Sequence, residues 1–117
     1  TASVTEAFLA LADAVYSIRQ DLPLADRRPL TDSVAAVSVG IVDGAPVLDL
    51  NFVEDFGATV DMNVVMTGSG QFVEVQGTGE EATFSEEELA SLLKLAKRGI
   101  AELKGVQQST LGKQWPF

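Results

Sequence analysis

Between residues 49 and 63 the chain places Asp49, Asn51, Glu54, Asp55, Asp61 and Asn63 in an otherwise apolar stretch. Carboxylates gathered in apolar surroundings are costly unless they are paired, solvated or bound to a cation. The sequence contains no histidine and no cysteine. Imidazole bases and thiolate metal sites are therefore excluded, and a metal would have to be a hard cation such as Mg²⁺. Asp55 and Asp61, six residues apart across a Gly-containing loop, could both reach one Mg²⁺. Magnesium accepts one or two protein carboxylates and keeps its other positions for water and phosphate.

A plainer reading stands beside this one. Acidic residues near hairpins are often turn formers or solvated rim groups, and Asp49 and Asn51 could line the solvent face of an antiparallel sheet. Spacing alone leaves both readings open. Glu80-Glu81 and Glu86 to Glu88 read as a solvated loop and a helix start. Gly68-Ser69-Gly70 reads as a hairpin turn, since no helix follows it to cradle a phosphate. Ser3 and Thr5 lack the base that a hydroxyl nucleophile needs.

The elements that would carry these groups follow from periodicity. Val4, Phe8, Leu11, Val15 and Ile18 recur every three or four residues, which predicts a helix over residues 3–19. Its alanines suit packing on more than one side. Residues 21–33 contain Pro23 and Pro29 and read as a surface loop. Residues 34–42 are β-branched and almost continuously apolar, as a central strand buried on both faces requires. Asp43-Gly44 is a two-residue hairpin signal leading to a second strand over 45–53. Third and fourth strands are expected over 60–67 and 71–76, completing an antiparallel meander. In that order Asp49-x-Asn51 and Asp61-x-Asn63 would lie on adjacent strands. Ser85 and Glu88 have capping-box spacing, Phe84 and Leu89 form its staple, and Leu89, Leu92, Leu93, Ala96, Ile100 and Leu103 make the buried stripe of a last helix. Gly105 reads as its stop and residues 106–117 as a loose tail, with Trp115 and Phe117 free to dock on a neighbour.

A length of 117 residues with 46% apolar and 21% charged residues describes one domain with its own core. No apolar run reaches the ~20 residues of a membrane span, and no basic-then-apolar leader is present. A net charge of −9 with eight scattered basic residues argues against the chain gripping nucleic acid by itself. The absence of an initiator Met and the helical period already running at Val4 read as a fragment or processed piece.

The run Ala35-Ala36-Val37-Ser38-Val39-Gly40-Ile41-Val42-Asp43-Gly44 resembles the ribonuclease PH family. So do Val47-Leu48-Asp49-Leu50, Glu54-Asp55, Asp61-Met62-Asn63-Val64-Val65-Met66-Thr67 and Phe72-Val73-Glu74-Val75-Gln76-Gly77-Thr78. Thr1-Ala2-Ser3 and Ala10-Leu11-Ala12-Asp13-Ala14 extend the likeness, which runs from residue 1 to about residue 104. The resemblance implies the C-terminal half of such an enzyme, with an α+β fold of mostly antiparallel sheet packed against helices. Residues 1–30 would end the first subdomain (ribosomal S5 domain 2-like), 31–105 would form the second ribonuclease PH subdomain, and 106–117 the tail.

The family's activity is phosphate-dependent 3′→5′ exoribonuclease action, or tRNA nucleotidyl transfer. It trims tRNA precursors, takes part in rRNA processing and releases nucleoside diphosphates. By resemblance Asp55 and Asp61 are the catalytic, metal-holding pair, with Mg²⁺ or another divalent cation as cofactor and inorganic phosphate as co-substrate. Asn63 is a supporting residue. The implied partners are RNA, the N-terminal half of the same enzyme, and further copies in a homo-hexamer built as a trimer of dimers, in the cytoplasm. The family's phosphate-binding Gly-Thr-Arg would fall immediately before Thr1, so this chain holds no phosphate-binding residue and should be inactive alone. The alternative is a non-catalytic structural subunit of a ribonuclease PH-like ring.

Overall fold

The computed structural model describes residues 2–23, 30–48, 57–80 and 82–117. Helix α1 spans Ala2–Ser17, strands β1 to β4 span Val34–Val42, Ala45–Leu48, Val60–Thr67 and Phe72–Gly79, and helix α2 spans Glu86–Leu111, followed by a 3₁₀ turn at Gly112–Gln114. The strands form one antiparallel sheet in the order β2-β1-β3-β4. The chain is thus an α+β domain, as its sequence predicts.

The strand order corrects the expected meander. β3 does not pair with β2; it crosses to the far edge of β1, with Ile41 opposite Val60 and Val34 opposite Thr67. The cause lies in β1, whose Val-Ala-Ala-Val-Ser-Val-Gly-Ile-Val sequence can be covered on both edges and both faces. The tight hairpin holds β2 on one edge of β1. Asp43 and Gly44 both adopt positive φ (51° and 78°), the pair of values a two-residue turn of this hand demands. The other edge of β1 is left for β3, and Thr59 begins that pairing by donating to the Ile41 carbonyl.

One face of the sheet is dry. Ala35, Val37, Val39 and Ile41 of β1 and Val60, Met62, Val64 and Met66 of β3 pack against Leu92, Ala96 and Ile100 of α2, the stripe expected from its periodicity. Leu48, Phe84, Leu89, Leu93 and Leu103 close the margins. Gly99 lets α2 approach closely, because a Cβ there would meet the Leu48 side chain at 2.7 Å and Val37 at 3.3 Å. The capping box forms as predicted, with Ser85 Oγ accepting from the Glu88 amide and Glu88 Oε1 accepting from the Ser85 amide.

The C-terminal region differs from expectation. Gly105 does not stop the helix, which runs on to Leu111. Residues 106–114 are therefore helical, not a loose tail, and Trp115 and Phe117 dock within the chain. Phe8, Trp115 and Phe117 form an aromatic trio with centroids 5.6–6.2 Å apart, over a small second core of Phe8, Ala12 and Leu111. Burial of these large apolar groups outweighs the modest cost of one helical glycine, about 1 kcal/mol.

The extension also serves the start of β1, away from the described β2 partners Val39 to Val42. Thr5 of α1 accepts from the Ala36 amide at 3.2 Å, and Gln107 of α2 donates to the Val34 carbonyl at 3.0 Å. Two buried side chains thus satisfy backbone groups at the start of β1. Leu11 of α1 and Ile18 just beyond it stay about half exposed.

Candidate active site

The second face of the sheet carries the polar residues. β3 alternates so that Val60, Met62, Val64 and Met66 point into the core while Asp61, Asn63, Val65 and Thr67 point the other way. Asp61 is half-buried and Asn63 exposed. Across the ladders Asp61 lies between Gly40 of β1 and Thr78 of β4, and Asn63 lies between Ser38 and Gln76. Gly40, itself buried, adds no side chain beside Asp61. Neither helix covers this face of β3 among the described residues: α2 occupies the opposite face, and α1 reaches the start of β1.

The predicted site residues fall unevenly. Asp61 and Asn63 share one face, as strand periodicity requires. Asp49, Asn51, Glu54 and Asp55 lie outside the described residues. β1 separates β2 from β3, so the second and third strands are not neighbours; the expected placement of Asp49-x-Asn51 lies outside the described residues. The neighbours of Asp61 are instead Gly40 and Thr78. Ser38, which sequence reading passed over as a core strand residue, donates to Asn63 Oδ1 at 2.9 Å. Its signal was the single hydroxyl in an otherwise apolar strand.

The donor chemistry suits a hard cation. No described residue hydrogen-bonds or ion-pairs with the Asp61 carboxylate, which leaves its oxygens available. Among the described residues no cluster of three acidic or otherwise ligating side chains exists. One carboxylate with water and phosphate completing the shell fits magnesium better than calcium or zinc. Asn63 Oδ1 accepts from the Ser38 hydroxyl, which fixes the strand face beside Asp61.

A strongly held carboxylate lies elsewhere. Asp32 accepts from the Ser33 amide at 2.8 Å and from the Ser69 amide and hydroxyl at 3.2 and 2.6 Å. The Ser69 hydroxyl above all, with these amides, holds the Asp32 pKa below its usual value. That network pins the β3–β4 turn to the start of β1, and Lys104 adds a hydrogen bond to the Gly68 carbonyl at 3.0 Å. It is scaffold, not site.

The described residues thus form an antiparallel α+β layer with one packed face and one polar face. Residues 32–99 match the model of the 3′ exoribonuclease family, domain 2. The chain is 57% identical over 113 residues to ribonuclease PH of Listeria monocytogenes and 54% identical to that of Listeria welshimeri, in each case over 96% of this chain. It belongs to the ribonuclease PH family. The chain spans 45% of the length of these relatives, corresponding to their C-terminal half. Rice Rrp46 shares the fold, with a TM-score of 0.55 and 20% identity over 71% of this chain and 38% of that one.

Proposed function

We propose that this chain supplies the carboxylate side of the active site in a phosphate-dependent 3′→5′ exoribonuclease that trims tRNA precursors. The observation that carries this reading is Asp61, set opposite a glycine on the sheet face that neither described helix covers. The identity to proteins named ribonuclease PH supports the reaction class. In that reaction an oxygen of inorganic phosphate forms a bond to the phosphorus of the last phosphodiester. The bond from that phosphorus to the 3′ oxygen of the preceding nucleotide breaks. The terminal nucleotide leaves as a nucleoside diphosphate, and the shortened RNA takes a proton on its new 3′ hydroxyl.

Such a transfer needs positioning and charge neutralisation, with no covalent protein nucleophile. Asp61 and, by family resemblance, Asp55 would hold a divalent cation, which when bound would neutralise charge on the phosphates. One of the two carboxylates would assist the proton transfer. Phosphate capture and most of the RNA grip would come from the N-terminal half, consistent with the −9 charge of this chain. The reading extends to a cytoplasmic homo-hexamer built as a trimer of dimers, with rRNA precursors as further substrates.

The test is substitution in the whole enzyme. Asp55→Ala or Asp61→Ala should abolish phosphate-dependent release of nucleoside diphosphate while the ring stays assembled. Near-normal release from both variants would favour a structural ring subunit instead.

A further inference from the structure

Away from the open face, an open groove of ≈ 320 Å³ lies between the β3–β4 turn and α2, bordered by Thr67, Gly68, Gly70, Lys97, Ala101 and Lys104. Four of the chain's eight basic residues, Lys94, Lys97, Arg98 and Lys104, fall in the middle of α2, with Glu102 the only acid between them. Four positive charges less one leave a local +3 in a chain of net −9. Lys94 and Arg98 border a separate depression towards Pro46 of β2. Lys97 and Lys104, two helical turns apart, border the groove itself.

An aromatic ring completes the feature. Phe72, at the start of β4, is 44% exposed, and the Lys97 ammonium stands 5.5 Å from its ring centroid. Lys104 is held in place by the Gly68 carbonyl. Asp32, whose carboxylate accepts from Ser33 and Ser69 near Gly68, offsets part of this charge, and Glu74 pairs with Val65 on the opposite sheet face. β4 is an edge strand, exposed from Phe72 to Thr78. A chain can therefore pass from the Asp61 face around this edge to the groove.

We propose that the groove binds the single-stranded RNA that trails behind the terminal nucleotides, with a base against Phe72 and phosphates on Lys97 and Lys104. An exposed ring beside ammonium groups is the arrangement by which single-stranded nucleic acid is held without sequence preference. Phe72 pairs with Met66, five residues along β3 from Asp61, or about 17 Å at ~3.4 Å per residue. Only an RNA extending well beyond the reacting bond reaches both places. The groove thus distinguishes long substrates from short ones. This rests on the exoribonuclease reading above.

The experiment compares a trinucleotide with a long oligoadenylate in the whole enzyme at saturating phosphate. Lys97→Gln and Phe72→Ala should each raise KM for the long RNA roughly tenfold. They should leave kcat and the trinucleotide KM unchanged. Lys97→Arg should restore the long-RNA KM, and Lys94→Gln, outside the groove, should not alter it. In Lys97→Gln the slope of log KM against log salt should fall by about 0.7. An unchanged long-RNA KM, or equal losses on both substrates, overturns the proposal. So does dissociation of the oligomer by Phe72→Ala, which would make the groove a protein interface. If the wild-type enzyme releases no nucleoside diphosphate from either RNA, the exoribonuclease reading fails. Fluorescence anisotropy with the long RNA then decides the groove alone: weaker binding by Lys97→Gln upholds it, and equal binding refutes it.

Discussion

The two faces of the sheet are built from the same strands and do opposite work. On one, Val60, Met62, Val64 and Met66 meet α2 in a close-packed core in which Val64 and Leu92 are fully buried. On the other, the intervening residues of β3 present Asp61 and Asn63 to a surface that no described helix covers. The difference teaches how a small domain positions a charged group. Period-two alternation lets a strand anchored by half its side chains hold the other half in fixed register. Asp61 is thereby held rigidly by residues that never touch it.

Damage to the packed face should be the most costly. Leu92→Ala, which opens a cavity among Val37, Met62 and their neighbours, should destabilise the fold by about 3 kcal/mol in denaturant melts. Next comes the junction of Thr5 and Gln107 with the start of β1. Gln107→Ala removes the donor to Val34 and should cost about 2 kcal/mol by the same measurement. Gln107 is 1% exposed, and its Oε1 has no partner among the described residues, so part of its own benefit is already offset. Gln107→Met, of similar volume, should therefore cost less than the alanine variant. Asp61→Asn should shift stability by less than about 0.5 kcal/mol, because the open face contributes little to the core. A large loss there would break the contrast between the faces.

The smallest effect concerns pH. Asp32 has a depressed pKa in the folded chain, so the unfolded chain binds its proton more readily. Its contribution is present above the ordinary aspartate value of 3.8 and is lost as pH falls through the lower folded value. Asp32→Asn should remove that part of the acid-side decline in Tm and leave the neutral-to-acid difference smaller than in the wild type. An unchanged decline would mean that the Ser33 and Ser69 hydrogen bonds do not stabilise the turn.

Local chemistry was legible in the sequence, and long-range pairing was not. The Asp43-Gly44 turn, the Ser85–Glu88 box and the α2 stripe follow from contacts within a few residues, which composition and spacing encode directly. The order β2-β1-β3-β4 depends instead on which edge of β1 is still free when β3 arrives. A meander and a crossover use the same alternation, so the apolar pattern alone could not choose between them. Gly105 misled for a related reason. Its propensity favours a stop, but the burial of Gln107 and Leu111 against α1 carries the helix past it. At the site, alternation put Asp61 and Asn63 on one face, while the Gly40 and Thr78 neighbours required the true register. The pairing of Asp55 with Asp61 comes from family resemblance, and Asp55 lies outside the described residues.

The claim that the Asp61 face holds a divalent cation is tested most directly by paramagnetic broadening, with Mn²⁺ in place of Mg²⁺ since both favour carboxylate and water oxygen. Added in trace amounts to the isotopically labelled enzyme, Mn²⁺ should broaden the amide signals of Gly40, Asp61 and Asn63 and spare those of Leu92 and Ala96 on the packed side. Asp61→Asn should abolish that broadening. Broadening centred on Glu86 to Glu88, or a pattern unchanged by Asp61→Asn, would show that the cation binds elsewhere and that the open face is only a solvated sheet surface.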